Sequence, residues 1–233
     1  MLEEVAGRAR PVALAGERLL PVLPALRPLF PEGGLRRGSV VAVTGSTSLA
    51  LSVVAAASAA GSWCAAVAVG RPPLSPVAAA ELGVVLGRFP LVAAAPGSAR
   101  GGWAWAAATL VDAVDVVVAW PPARLRTADA RRLAVRGRER GSVLVVSGTS
   151  VWPEVVDVCL TVTAATWVGV GDGHGRLLAR RMEVTATGRG AAARERRVDL
   201  WLPASGGGVV AVSGAEATTS ATGGPLTTEA RGA

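Results

Sequence analysis

Short runs of consecutive apolar residues, alternating with stretches of helical spacing, dominate the chain as far as Ser147. Residues 39–44, Cys64–Val69, 91–95, 115–120 and 142–147 are near-continuous Val/Ala runs bounded by Gly, Pro or Ser. That is the pattern of strands buried on both faces. Between them, residues 48–60, 76–87, 103–111 and Thr127–Arg140 read as helices, with Thr127 as the expected cap of the last and Gly141 as its stop. Strand and helix in alternation predict a parallel sheet covered by helices on both sides.

After Trp152 the pattern changes. Residues 156–163, 176–187 and 197–202 are strand-like, separated by Gly-containing turns at 169–175 and 188–194. From Arg181 to Ala186 polar and apolar positions alternate with period two, which predicts an antiparallel extension of the sheet. At the start of the chain, residues 2–10 form a charged helix candidate, and Pro11, Pro21, Pro24 and Pro28 among leucines prevent one long helix. Residues 1–28 are therefore expected to be an apolar arm lying on its own domain or on a partner. The domain follows over 29–203, and the Gly/Thr-rich stretch 204–233 is expected to be a disordered tail.

Composition narrows the function classes. With 233 residues and 51% apolar content, one domain with a sizeable core is the default. The formal charge of +7 suggests an acidic partner, nucleic acid first among them. Every basic residue is arginine; lysine is absent. Cys64 and Cys159 sit in apolar runs without metal-ligand spacing, which suits buried free thiols and a cytoplasmic setting. The acidic start, Met1 to Val5, lacks a signal-peptide pattern. The uncharged stretch 38–70 is broken by Gly45-Ser46-Thr47-Ser48 and Gly61-Ser62, which argues against a membrane span.

The most specific motif is incomplete. The strand at 39–44 feeds Gly45-Ser46-Thr47-Ser48-Leu49-Ala50-Leu51-Ser52. Laid over the phosphate loop G-x-x-x-x-G-K-[ST], Ala50 stands for the second Gly and Leu51 for the Lys, while Ser52 keeps the hydroxyl. The backbone could still offer amides to an anion, but the cation that would reach the β/γ-phosphates is missing.

Gly33-Gly34-Leu35-Arg36-Arg37-Gly38 leading into that strand resembles the lead-in of the RecA core. Gly61-Ser62-Trp63-Cys64 resembles its second strand, Glu81-Leu82-Gly83-Val84 the segment after it, and Val114-Asp115-Val116-Val117-Val118 the strand that carries the Walker B acid. In order and spacing, over roughly residues 29–203, the chain is similar to the RecA-like accessory protein of the bacterial mutasome, the ImuA-prime family. Residues 29–45, Trp63-Cys64 and the His174-Gly175-Arg176 to Trp201-Leu202-Pro203 end carry that similarity.

The resemblance implies an α/β, RecA-like core: a mainly parallel sheet flanked by helices and extended by antiparallel strands. It also implies a non-catalytic accessory role in error-prone translesion synthesis and damage-induced mutagenesis. The partners would be an inactive Y-family-polymerase-like protein and, indirectly, an error-prone C-family polymerase. At the Walker B position the chain has Trp120 (Ala119 in the neighbouring register), and at the position of the RecA catalytic Glu it has Gly70. Phosphoryl transfer rests on positioning and charge stabilisation. Loss of the cation, the metal ligand and the water-activating acid together predicts a pseudo-ATPase, with the 45–52 loop a vestigial nucleotide site and no cofactor. Two other readings stand beside it. One is a nucleic-acid-binding regulator using arginine clusters. The other is an atypical RecA-like NTPase in which Arg71 or Arg37 replaces the lysine.

The arginines form two groups. Arg124 and Arg126 precede a helix on which Arg132, Arg136 and Arg140 share one side. These could grip phosphates or an acidic partner, or simply face solvent. Arg180 and Arg181, in the second group with Arg176, point to opposite faces of a strand. Of Trp103 and Trp105, at i and i+2, one is expected to leave the core-facing side of its helix. The single histidine, His174, has no second His for a metal site or triad.

Overall fold

The computed structural model describes residues 19–96, 102–148, 152–171 and 174–212. In it the apolar runs become strands. β1 (Leu19–Pro21) and β2 (Gly34–Arg36) pair antiparallel in a small separate sheet, with a 3-10 turn, Pro24–Leu29, between them. The main strands are β3 (Val40–Thr44), β4 (Cys64–Val69), β5 (Leu91–Ala94), β6 (Val116–Trp120) and β7 (Val143–Ser147). They are followed by β8 (Val158–Gly171), β9 (His174–Gly188), β10 (Arg196–Trp201) and β11 (Val210–Ala211). The helices are α1 (Thr47–Ala59), α2 (Pro76–Glu81), α3 (Trp103–Ala113) and α4 (Thr127–Arg140).

The nine-stranded sheet has the order β11-β10-β9-β8-β3-β7-β6-β4-β5. From β8 to β5 every pairing is parallel; from β8 outward to β11 every pairing is antiparallel. This is the α/β architecture that the hydrophobic pattern predicts, including the change of direction after Trp152.

Two apolar layers cover the sheet. Val41, Val43, Val116 and Val118 face the layer that holds α1 and α2, together with Leu20, Leu26, Leu29 and Leu35 from the N-terminal segment. Val40, Val117, Leu144 and Val146 face the layer of α3 and α4, with Trp103, Leu110 and Leu133. Period-two alternation along each strand thus feeds two cores. α1 is buried without a break from Leu49 to Ala55, as expected of a helix that is apolar all round.

The described part of the N-terminal arm lies on its own domain: Leu20, Val22 and Leu26 are core residues. At the other end, β11 adds to the sheet edge against β10. The remaining expectations for the arm and for 213–233 fall outside the described residues.

Three local expectations are corrected. The helix expected over 76–87 ends at Glu81, because Gly83 takes a left-handed conformation and the chain then turns into a short 3-10 element at Leu86–Arg88. Thr127 is the first helical residue of α4 and not its cap; Arg126 takes the cap position without a side-chain hydrogen bond. The turn at 169–175 is narrower than expected, since β8 runs on to Gly171 and β9 starts at His174 as one long hairpin, whereas the turn after Gly188 keeps its expected length and holds a 3-10 element at Gly190–Ala192. Gly141 does end α4, with φ of 68°, a conformation that costs least for glycine.

Candidate functional site

In open α/β sheets ligands bind beyond the carboxyl ends of the parallel strands. Gly45, Gly70, Trp120 and Gly148 all follow or end such strands. The sequence-predicted residues are therefore in the right place. What the structure puts there differs from a phosphate site.

Only Gly45 and Ser46 separate the end of β3 at Thr44 from the start of α1 at Thr47. A phosphate loop needs several residues whose backbone amides curl around an anion. Here the helix has absorbed Thr47, Ser48, Leu49 and Ala50. Ser46 caps it, its Oγ accepting a hydrogen bond from the Leu49 amide at 3.1 Å. Ser52 Oγ donates to the Ser48 carbonyl at 2.7 Å and is fully buried. Leu51 is 2% exposed and belongs to the core. Gly45 has φ of 86°, and a Cβ placed there would lie 3.1 Å from Val162 Cβ on β8. The neighbouring strand thus presses against the mouth of the loop.

At the Walker B position, Trp120 is buried in the α1-side core and borders Gly148, where a Cβ would come within 3.5 Å of the indole. Ala119, the alternative register, is buried in the opposite layer. An indole and a methyl group offer no metal ligand. Gly70 sits in an exposed turn, its amide donating to the Ala94 carbonyl at 3.0 Å. Among the described residues no group of three His, Cys, Asp or Glu could hold a metal ion.

Arg37, considered as a substitute for the missing lysine, lies before β3 and pairs with Asp115 at 2.8 Å. Asp115 precedes β6, so this pair belongs to the amino end of the sheet, a strand's length from Gly45. Arg71 is exposed just past β4.

The helix α4 arginines are partly spoken for. Arg136 grips Asp112 of α3 with two guanidinium nitrogens, one at 2.7 Å, and Arg140 Nε reaches the same carboxylate at 3.1 Å. The Arg136 hydrogen bond, more than partial burial opposes, holds the Asp112 carboxyl below the usual carboxylate range. Arg132 is 82% exposed and reaches Asp129 at 3.5 Å. Beside these pairs runs an open groove of about 760 Å³ between α3 and α4, lined by Trp105, Ala108, Arg131 and Val135. Trp103 is buried while Trp105 is 45% exposed, which is the division predicted from their spacing. Arg124 and Arg126 lie in the loop that leads into α4.

Arg180 and Arg181 do point to different neighbours. Arg180 lies over the Trp167 ring, 5.7 Å from its centroid, and burial lowers its pKa. Arg181 pairs with Asp199 at 2.8 Å.

Two carboxylates for which the sequence suggests no such role organise the amino ends of the strands. Asp157 accepts from the Val40 amide at 2.8 Å and from Arg189 at 2.7 and 3.0 Å. Asp115 accepts from the Trp63 amide at 3.0 Å as well as from Arg37. The available signal was an aspartate immediately in front of a valine-rich strand.

The fold and this strand order define a RecA-like α/β protein. The chain aligns in three dimensions with the RadB recombinase at a TM-score of 0.53 and 14% identity, covering 80% of this chain and 97% of that one. Residues 28–154 match the MT3502 N-terminal domain family, and the chain belongs to that family. It is also 32% identical over 196 residues to the uncharacterized protein Rv3395c of Mycobacterium tuberculosis, which spans 80% of this chain and 93% of the relative. Among the described residues no helix is long and apolar enough to cross a membrane.

Proposed function

We propose that the protein is a non-catalytic, RecA-fold accessory factor of an error-prone translesion-synthesis complex, working through protein contacts in damage-induced mutagenesis. The observation that carries the non-catalytic part is the seating of Leu51 in the core, on a helix that begins at Thr47 and leaves two residues for a loop. The apolar Trp120 at the metal position supports it. The mutasome setting rests on the resemblance of residues 29–203 to the ImuA-prime family. On this reading the direct partner is the inactive Y-family-polymerase-like protein, and the C-family polymerase is reached through it. The protein acts in the cytoplasm without a nucleotide cofactor.

The alternative of a nucleic-acid-binding regulator is weakened at α4, where Arg136 and Arg140 both engage Asp112. The NTPase alternative is weakened by Arg37, which faces the wrong end of the sheet.

Size-exclusion chromatography of this protein mixed with the polymerase-like protein tests the proposal. Co-elution with and without ATP and Mg²⁺ is expected. Absence of a complex, or a complex formed only with nucleotide, overturns it.

A further inference from the structure

The β8–β9 hairpin is longer than the sheet that supports it. β3 pairs with β8 only over Val158–Thr161, and β10 pairs with β9 only over residues 181–186. Past those positions, from Trp167 on β8 and Arg180 on β9 outward, the two strands pair with each other alone, apart from the Arg180 backbone, which exchanges hydrogen bonds with Leu202 and Pro203. A two-stranded ribbon is marginally stable in water. This one nevertheless exposes Trp167 at 45%, Val168 at 42%, Leu177 at 55% and Leu178 at 44%. Strand alternation puts Trp167 with Leu178 and Arg180 on one face, and Val168 with Leu177 on the other. Exposed apolar groups on both faces of an unsupported ribbon mark a surface that something covers.

Charge decides among the occupants. Among the described residues no carboxylate pairs with Arg176 or Arg180. Two copies of this chain meeting ribbon to ribbon would bring these guanidinium groups together, in a protein that already carries +7. That disfavours self-association. Nucleic acid would satisfy the charge, but it stacks on free aromatic faces. Here the only aromatic ring among the four exposed apolar side chains already carries Arg180 over one face, and the other three are aliphatic. A polypeptide with apolar and acidic side chains fits all of these groups.

We propose that the distal β8–β9 ribbon is a docking arm for an acidic, apolar segment of a partner protein, with Trp167 and Leu178 on one face taking its apolar side chains and Arg176 and Arg180 its carboxylates. This deepens the accessory-factor reading and rests on it for the partner's identity. The edges of the ribbon also offer unpaired backbone groups, so an extended segment could add as a strand.

The test uses the full chain, wild type and three variants: Trp167→Ser with Leu178→Ser, Arg176→Glu, and Arg180→Glu. Arg176→Glu changes an exposed charge alone, so it stays informative if the double variant fails to fold. Each is titrated with the polymerase-like protein, with a fluorescein-labelled peptide of alternating leucine and glutamate, and with oligothymidylate. The account expects the wild type to bind the polymerase-like protein and each variant to lose at least about tenfold in affinity. Wild-type affinity in every folded variant overturns the docking arm and leaves the accessory role intact.

If the wild type ignores the polymerase-like protein, the accessory reading falls. The arm then stands only if the wild type binds the acidic peptide and Arg176→Glu and Arg180→Glu lose it, and it falls if that binding is absent or unaffected. Loss of oligothymidylate binding alone reassigns the ribbon to nucleic acid. A dimer that the variants convert to a monomer reassigns it to self-association. Either result overturns the proposal.

Discussion

Ser46 Oγ accepts the hydrogen bond of the Leu49 amide at 3.1 Å. In a phosphate loop, amides of this stretch are kept free for an anion. Here the chain satisfies one itself and begins its helix at once, so that Leu51 turns into the core instead of toward a nucleotide.

Restoring the lysine should therefore not restore a site. Leu51→Lys places an ammonium in the apolar core on the α1 side of the sheet. Burying an unpaired charge is among the strongly destabilising changes, and a loss of about 3 kcal/mol or more is expected in urea unfolding. A variant of unchanged stability that gained ATP-dependent protection would show that the loop opens freely.

Asp157 should be the most sensitive carboxylate. Its side chain is 10% exposed and joins the β3 backbone at Val40 to Arg189. Asp157→Ala leaves a buried amide unpartnered and a guanidinium without its counter-charge, for an expected cost of about 3 kcal/mol. A cost below about 1 kcal/mol, within the range of exposed ion pairs, would place this contact at the surface.

The α3–α4 clamp should be weak and acid-labile. Asp112, Arg136 and Arg140 are all partly exposed, so screening limits Asp112→Asn to about 1 kcal/mol near neutral pH. The Asp112 pKa is lowered on folding. Its contribution is therefore fully present above the unfolded carboxylate value of about 4, and it is lost as pH falls through the lower folded value. Stability curves of wild type and Asp112→Asn should converge in that acid window. A difference that persists at low pH would mean that packing, not charge, is responsible.

Thiol chemistry should separate the two cysteines. Burial pushes the Cys64 thiol up to about 12, whereas Cys159 is only partly buried. Native protein treated with iodoacetamide at mildly alkaline pH should be modified at Cys159 and spared at Cys64, and both should react after unfolding. Native modification of Cys64 at the rate of Cys159 would contradict the packing of β4.

Much of the fold is legible because its signals are local. Cys64–Val69 and Thr127–Arg140 coincide with their elements, since a continuous Val/Ala run and an amphipathic stretch closed by Gly141 each allow one structure. That Leu51 and Trp120 stand where the motifs carry a lysine and an acid is also visible in the sequence. What escapes is whatever depends on distant neighbours. The approach of Val162, on the neighbouring strand β8, to Gly45 is set by sheet pairing between residues far apart in sequence. The pairing of Arg136 and Arg140 with Asp112 needs the α3–α4 packing, which helical spacing within α4 cannot show. The length of the β8–β9 ribbon is likewise hidden, because the glycines at 169, 171, 173 and 175 suggest a wide turn where the backbone keeps pairing through a bulge.

The most direct test of the central claim is a titration of the purified full-length protein with ATP and Mg²⁺, followed by thermal shift and by phosphate release. The account predicts an unchanged melting temperature and no release above background. A clear stabilisation, or turnover abolished by Ser52→Ala, would contradict it and mean that the 45–52 segment opens to hold a nucleotide.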